Sequence, residues 1–243
     1  MTSEFNDYGQ PVGYTVVDWQ PARHPQAVIL EGTNCIVRPL TADAIPVLFD
    51  EFQAGGDALW TYLPYGPFSS AETYGETIRR LADNTGAVFY MIVQQGRPCG
   101  LFALSAIVTE RGSVELAHVL FSTRLQRSRA ATEAVHLIIR YVFELGYRRC
   151  EWKCNALNAA SRRAAQRFGF SWEGCFRQHM VVKGRNRDTS WFAMTADDWP
   201  AIAEAHRCWL ADDNFDSGGE QRTSLSSLTA PLLHPLAPIT GNQ

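Results

Sequence analysis

Apolar and polar positions along this chain switch repeatedly between a period near two and a period near 3.6. Three apolar runs, Val88–Val93, Leu101–Ile107 and Val114–Phe121, read as strands; the turn-formers Gln95-Gly96-Arg97-Pro98 and Glu110-Arg111-Gly112 separate them. Asn34–Leu40 reads as an earlier strand. After it Ile45, Leu48, Phe49 and Phe52 fall at i, i+3, i+4, i+7, predicting a helix entered near Thr41 or Asp43. Ser69 with Glu72 forms a capping box for a second helix, which ends near Asn84 and Gly86. The strongest helical stripe is Ala134, Leu137, Ile138, Tyr141, Val142 and Leu145, with Gly146 at the C′ position. Then follow a strand at Arg149–Cys154 and a short helix over Asn158–Phe168 closed by Gly169. Strands at Phe176–Lys183 and Thr189–Met194 flank a polar turn, Gly184–Asp188, and a last helix capped by Thr195 and Asp198 runs to about Leu210.

This order specifies an α/β (α+β) chain: one domain with a mixed central sheet of about seven strands flanked by helices. The expected boundaries are an extended arm over 1–33, the domain over 34–212 and a Ser/Thr/Pro-rich arm over 213–243. The early residues carry Glu4, Asp7 and Asp18 without a long apolar run, so no signal peptide is expected. The longest apolar stretch, Ala87–Val93, is too short to span a membrane. Six scattered cysteines without a C-x-x-C pair, and no His at ligand spacing, argue for reduced thiols in a cytoplasmic protein and no metal.

Charge changes the picture. Between Arg124 and Arg187 stand 14 Lys and Arg against 4 Asp and Glu, whereas the rest of the chain has 8 against 21. A basic segment inside an acidic chain points to a local polyanion site, and no nucleic-acid recognition motif accompanies it. It begins where strand Val114–Phe121 feeds a helix start. There free backbone N–H groups and the positive end of the helix dipole make a phosphate site. Arg124, Arg127 and Arg129 can add guanidinium contacts, and Ser128 and Thr132 hydroxyl contacts.

From Val114 to Gly174 the chain resembles the cofactor-binding core of the GNAT superfamily of N-acetyltransferases. It is most similar to the branch that acetylates N-termini of ribosomal proteins. The resemblance extends over about 34–200. Its Q/R-x-x-G-x-G/A loop falls on Gln126, Arg127, Ser128, Arg129, Ala130 and Ala131, with Arg129 in place of the first glycine and Ala131 at the closing Gly/Ala position. Its second marker falls on Asn158, Ser161, Gly169 and Phe170. The resemblance implies a single GNAT-like domain that uses acetyl-CoA as co-substrate. It places Asn158 on the pantetheine arm, Ser161 near the thiol as proton donor, and the backbone around Leu120 and Phe121 on the acetyl carbonyl.

Candidate bases are Glu115 and His179. His179 stands beside Met180, which occupies the position where the branch carries a glutamate. Glu115 and His118, three apart on one strand, are expected on opposite faces. The aromatic loop, with Trp60, Tyr62 and Tyr65, is expected to border the acceptor together with His118. The function expected is transfer of an acetyl group to a primary amine, a protein N-terminus or lysine or a small molecule. A non-catalytic acyl-CoA sensor or interaction module on the same fold is the alternative, and a homodimer is compatible with either.

Overall fold

The computed structural model describes residues 3–235. Positions 1–2 and 236–243 of the two expected arms lie outside the described residues. In chain order the strands are β1 (Ser3–Phe5), β2 (Pro11–Gly13), β3 (Leu30–Glu31), β4 (Ile36–Pro39), β5 (Val88–Gln94), β6 (Arg97–Val108), β7 (Ser113–Phe121), β8 (Arg149–Asn155), β9 (Ser171–Val182) and β10 (Arg185–Thr195). The helices are α1 (Ala44–Gln53), α2 (Ala71–Thr85), α3 (Arg129–Glu144), α4 (Ala159–Arg167), α5 (Trp199–Leu210) and α6 (Leu225–Thr229).

β1 and β2 form a separate antiparallel hairpin. The other eight strands make one sheet in the order β3-β4-β5-β6-β7-β8-β10-β9. Every pairing is antiparallel except β7 with β8, the crossover that α3 spans. The expected count of about seven becomes eight because Leu30–Glu31, inside the anticipated arm, pairs with β4.

Each sheet face buries its own apolar layer. On one face Val114 and Leu116 of β7, with Cys150, Trp152 and Cys154 of β8, meet Ala134, Leu137, Ile138 and Val142 of α3. On the other, Phe89, Leu101, Ala103 and Leu120 meet Leu48, Phe52, Trp60 and Tyr74 around α1 and α2. α3 stops where its stripe stops, with Gly146 at φ 92°. α2 is capped one residue later than expected: Ser70, not Ser69, accepts the Thr73 N–H, and Glu72 lies in the first turn.

The segment after α5 is more ordered than a Ser/Thr/Pro-rich composition suggests. Leu225 of α6 is fully buried in the α3 core, and the Thr229 hydroxyl contacts the Arg167 carbonyl at 3.2 Å. Among the described residues no helix is long and apolar enough to cross a membrane, and no three His, Cys, Asp or Glu converge as a metal site.

Candidate functional site

β7 and β8 pair only at Ser113–Arg149, Val114–Cys150 and Glu115–Glu151. Beyond Glu115 they diverge, while β7 stays paired with β6 as far as Phe121–Gly100. The β8-side edge of β7 from Leu116 to Phe121 thus borders an open slot, with strand backbone groups available for new hydrogen bonds. Within this stretch β7 carries an extra residue. Leu101 and Ala103 oppose Leu120 and Ala117, and His118 takes φ 53°. Such a bulge shifts the strand's alternation by one place.

At the mouth of the slot, Ser122–Ser128 leads into α3. Leu125 is fully buried over Gly100, where an added Cβ would overlap its side chain, so the loop rests directly on β6. Arg127 takes φ 58°. Ser128 is the N-cap, its Oγ accepting the Ala131 N–H at 3.0 Å. The first-turn N–H groups of Arg129 and Ala130 precede the first i→i−4 bond of the helix and point out of its N-terminus. Arg124 and Arg127 are exposed beside them.

Four anticipated side-chain contacts are redirected. The Arg129 guanidinium turns to the C-terminal segment, donating to the Leu210 carbonyl at 2.8 Å and to Asp212 Oδ1 at 2.7 Å, and lies 4.2 Å from the Phe215 ring centroid. Thr132 is buried and accepts from Arg167 Nη1 at 3.1 Å. The Ser128 hydroxyl donates to the Leu125 carbonyl at 2.6 Å, which commits it to the cap. Gln126 Nε2 donates to the Phe121 carbonyl at 3.0 Å. The N–H groups of Arg129 and Ala130 in the first turn of α3 and the exposed Arg127 side chain are not engaged in this way, and Arg124, also exposed, donates to Gln95 Oε1 at 3.4 Å. Ala130 and Ala131, both buried, keep that turn close to the core.

On the far side of the slot, Asn158 caps α4 with its side-chain oxygen on the Ser161 N–H at 3.0 Å, which leaves its NH2 group unused by the cap. Ser161 Oγ accepts the indole N–H of Trp152 at 3.0 Å. Burial holds the neighbouring Cys154 thiol above its usual range, against a lowering contribution from a hydrogen bond with Ser161.

The face opposite α3 holds the remaining candidates. Glu115 pairs with Lys153 Nζ at 3.2 Å, and Lys153 also reaches Glu151 at 2.8 Å and lies 4.1 Å from the Trp191 ring centroid. Burial raises the Glu115 carboxyl above its ordinary value, with Lys153 pulling the other way. His118 stacks on Tyr65, ring centroids 5.7 Å apart, and its Nδ1 is 3.2 Å from the Tyr65 hydroxyl. Burial pushes its imidazole below the usual range, toward the neutral form. Because of the bulge, Glu115 and His118 share a face instead of lying on opposite ones. Tyr65 is buried. Trp60 is a fully buried core side chain rather than a wall, whereas Tyr62 is exposed.

His179 lies in a larger irregularity, where Arg177, Gln178 and His179 of β9 stand against Asp188 alone. Its Nδ1 is 2.9 Å from Thr189 Oγ1, which also accepts from Arg187 Nε at 3.2 Å. At the tip of this hairpin Lys183 Nζ donates to the Trp60 carbonyl at 2.8 Å, tying the hairpin to the aromatic loop. Lys183 and Arg187 read in the sequence only as part of a charged hairpin tip, and Lys153 was not singled out at all. The i, i+2 spacing of Glu151 and Lys153 on an alternating strand is the signal that would have found Lys153.

The splay of β7 from β8 beside the capped start of α3 leaves a slot lined by unpaired strand backbone and free helix N–H groups. Residues 34–171 match the family model described as acetyltransferase (GNAT) domain, so the chain belongs to the GNAT acetyltransferase family. A crystallised GCN5-related N-acetyltransferase from Brucella melitensis is 38% identical, with TM-score 0.84, covering 88% of this chain and 100% of that one. The Bacillus subtilis (strain 168) protein named "Putative ribosomal N-acetyltransferase YdaF" is 27% identical over 146 residues, 58% of this chain and 78% of that one. The Salmonella typhimurium enzyme described as modifying the N-terminal serine of ribosomal protein L7/L12 shares the fold, with TM-score 0.60 at 20% identity over 69% of this chain and 99% of that one.

Proposed function

We propose that the protein transfers the acetyl group of acetyl-CoA to a primary amine by direct attack. The observation that carries this reading is the divergence of β7 from β8 beyond Glu115, beside the N-terminus of α3. The pyrophosphate would sit on the N–H groups of Arg129 and Ala130, with Arg124 and Arg127 adding charge. The pantetheine would then run down the slot along Phe121 and Leu120, with the Asn158 NH2 group facing it. A structure of a RimL enzyme described as a coenzyme A complex shares this fold at 21% identity.

In the reaction a neutral amine forms a C–N bond to the thioester carbonyl. The developing oxyanion is stabilised by strand N–H groups near Leu120 and Phe121. Collapse breaks the C–S bond; the nitrogen releases its ammonium proton to water, and the thiolate takes one proton from a donor that water then reprotonates. Ser161 suits that role: its Oγ accepts the Trp152 indole N–H, which orients the hydroxyl, and its hydrogen can turn from the neighbouring Cys154 to the sulfur. The amine enters from the face that holds Glu115 and His118. The acceptor ammonium, with a pKa of about 8 for an N-terminus and about 10 for a lysine, must lose a proton before attack. Glu115, its carboxyl raised by burial, is the acceptor we favour, through water. His118 and Tyr65 would flank the amine, and His179 would lie at the hairpin edge. The acceptor is a protein N-terminus, lysine or small amine, and the acidic charge outside the basic segment favours a cation in each case.

The test is amine-dependent release of CoA thiol from acetyl-CoA by the purified protein, across N-terminal peptides, polyamines and amino acids. Turnover with at least one class is the expected result. Tight acetyl-CoA binding without turnover on any would replace the enzyme reading with that of a sensor.

A further inference from the structure

The two ends of this molecule expose apolar surface that no part of the described chain covers. Residues 3–17 form the β1–β2 hairpin and its extension, in which Phe5 is 70%, Tyr8 88% and Val17 76% exposed, with Val12, Tyr14 and Val16 also open. The hairpin's strands have three residues each. Two such strands are marginal in water and need another surface for stability. Contacts with the domain begin only further along, where Tyr14 meets Arg148 and Trp19 lies over Arg148.

At the other end, β9 is the last strand of the eight-stranded sheet, twelve residues long and without a neighbour on its outer side. Exposed edge strands of this length invite a further strand or chain. Phe176 is 52% and Val181 78% exposed there, with Met180 between them. Neither patch covers the other within one chain, since both are open in the same structure.

Charge selects the occupant. The arm as far as Ala22 carries Glu4, Asp7 and Asp18 and no Lys or Arg. The hairpin from Phe176 to Asp188 carries Arg177, Lys183, Arg185 and Arg187 against Asp188 alone. An acidic apolar arm and a basic apolar edge on the same chain are complementary. We propose that the N-terminal arm of one copy docks on the β9–β10 hairpin of a second copy, and the reverse contact closes a two-fold homodimer. Reciprocal exchange satisfies both patches at once and ends the assembly at two chains. Since His179 belongs to the same hairpin, the incoming arm lies at the edge of the proposed acceptor side of its partner.

The test is mass by light scattering coupled to size exclusion, on the full chain at micromolar concentration, with no reference to turnover. The native chain is expected at twice the single-chain mass. Tyr8→Glu on the arm and, separately, Val181→Glu on the edge should each halve it without changing the circular dichroism. Both positions are exposed, so folding does not depend on them. Arg177→Glu with Arg185→Glu should also give a single-chain mass, and adding Glu4→Lys with Asp7→Lys to that variant should restore the double mass. A native chain at single mass, a double mass indifferent to both apolar substitutions, or a charge swap without rescue would each overturn the proposal.

Discussion

The indole N–H of Trp152 donates to Ser161 Oγ at 3.0 Å, and that bond fixes what the hydroxyl can do next. With one lone pair engaged, the Ser161 proton is held between Cys154 and any group that enters the slot. Ser161→Ala should therefore lower kcat by about 10²-fold, the lower range for a positioned proton donor, while acetyl-CoA affinity by calorimetry falls less. The same change orphans the Trp152 N–H, so a loss of about 1–3 kcal/mol in stability accompanies it. Equal losses in kcat and in affinity would make Ser161 a binding residue alone. Glu115 is tested by pH. A general base works only when deprotonated, so turnover should fail as pH drops through a carboxyl value that burial has raised. Glu115→Gln should remove that acidic limb, and a profile unchanged in shape would pass the role to another group. The resemblance to the family put Ser161 and Glu115 forward as candidates; the sequence itself did not. Neither showed that the guanidinium of Arg129 serves Asp212, because partners 83 residues apart in sequence leave no local trace.

Elements were legible where periodicity was strong. α3 emerged from the spacing of its one buried face, and the central strands emerged as apolar runs because the sheet is covered on both faces. The bulge in β7 was not legible. It turns on one residue, His118 at φ 53°, and nothing in Leu116-Ala117-His118-Val119 distinguishes it from plain alternation. That single irregularity reversed the expected placement of His118 relative to Glu115. β3 was hidden for another reason, being two residues long with no pattern to read. Its neighbourhood is held by an element far away: Glu133 of α3 accepts the N–H groups of Thr33, Asn34 and Cys35 at 2.9, 2.6 and 2.9 Å. Bonds to a charged acceptor contribute about 1.5–3 kcal/mol each, and losing the acceptor leaves buried donors unsatisfied. Glu133→Ala should thus destabilise the fold by roughly 3 kcal/mol or more, read as a lower midpoint in urea. A shift under ~1 kcal/mol would mean that water replaces the carboxylate.

At the scale of the whole molecule, charge is segregated, and the segregation has a measurable consequence. The strip from Arg124 to Arg187 holds most of the cationic side chains of a chain whose net charge is −3. Within it Arg129 and Arg149 are spent on Asp212 and Glu173, so their fields are largely neutralised at close range. Arg124 and Arg127, exposed at the start of α3, remain to attract an anion. Salt screens exposed charges over about 8 Å at physiological ionic strength, whereas backbone N–H contacts at a helix start are far less sensitive. Acetyl-CoA, with its phosphates, should therefore bind more weakly as salt rises from low to physiological strength. Arg127→Glu should weaken binding by about tenfold at low salt, one charge-assisted contact at ~1.4 kcal/mol. It should also flatten the salt dependence, because the screened part of the interaction has been removed. If the dissociation constant of the native protein were independent of salt, the exposed arginines would have no part in holding the cofactor, and the backbone at Arg129 and Ala130 would have to carry it alone.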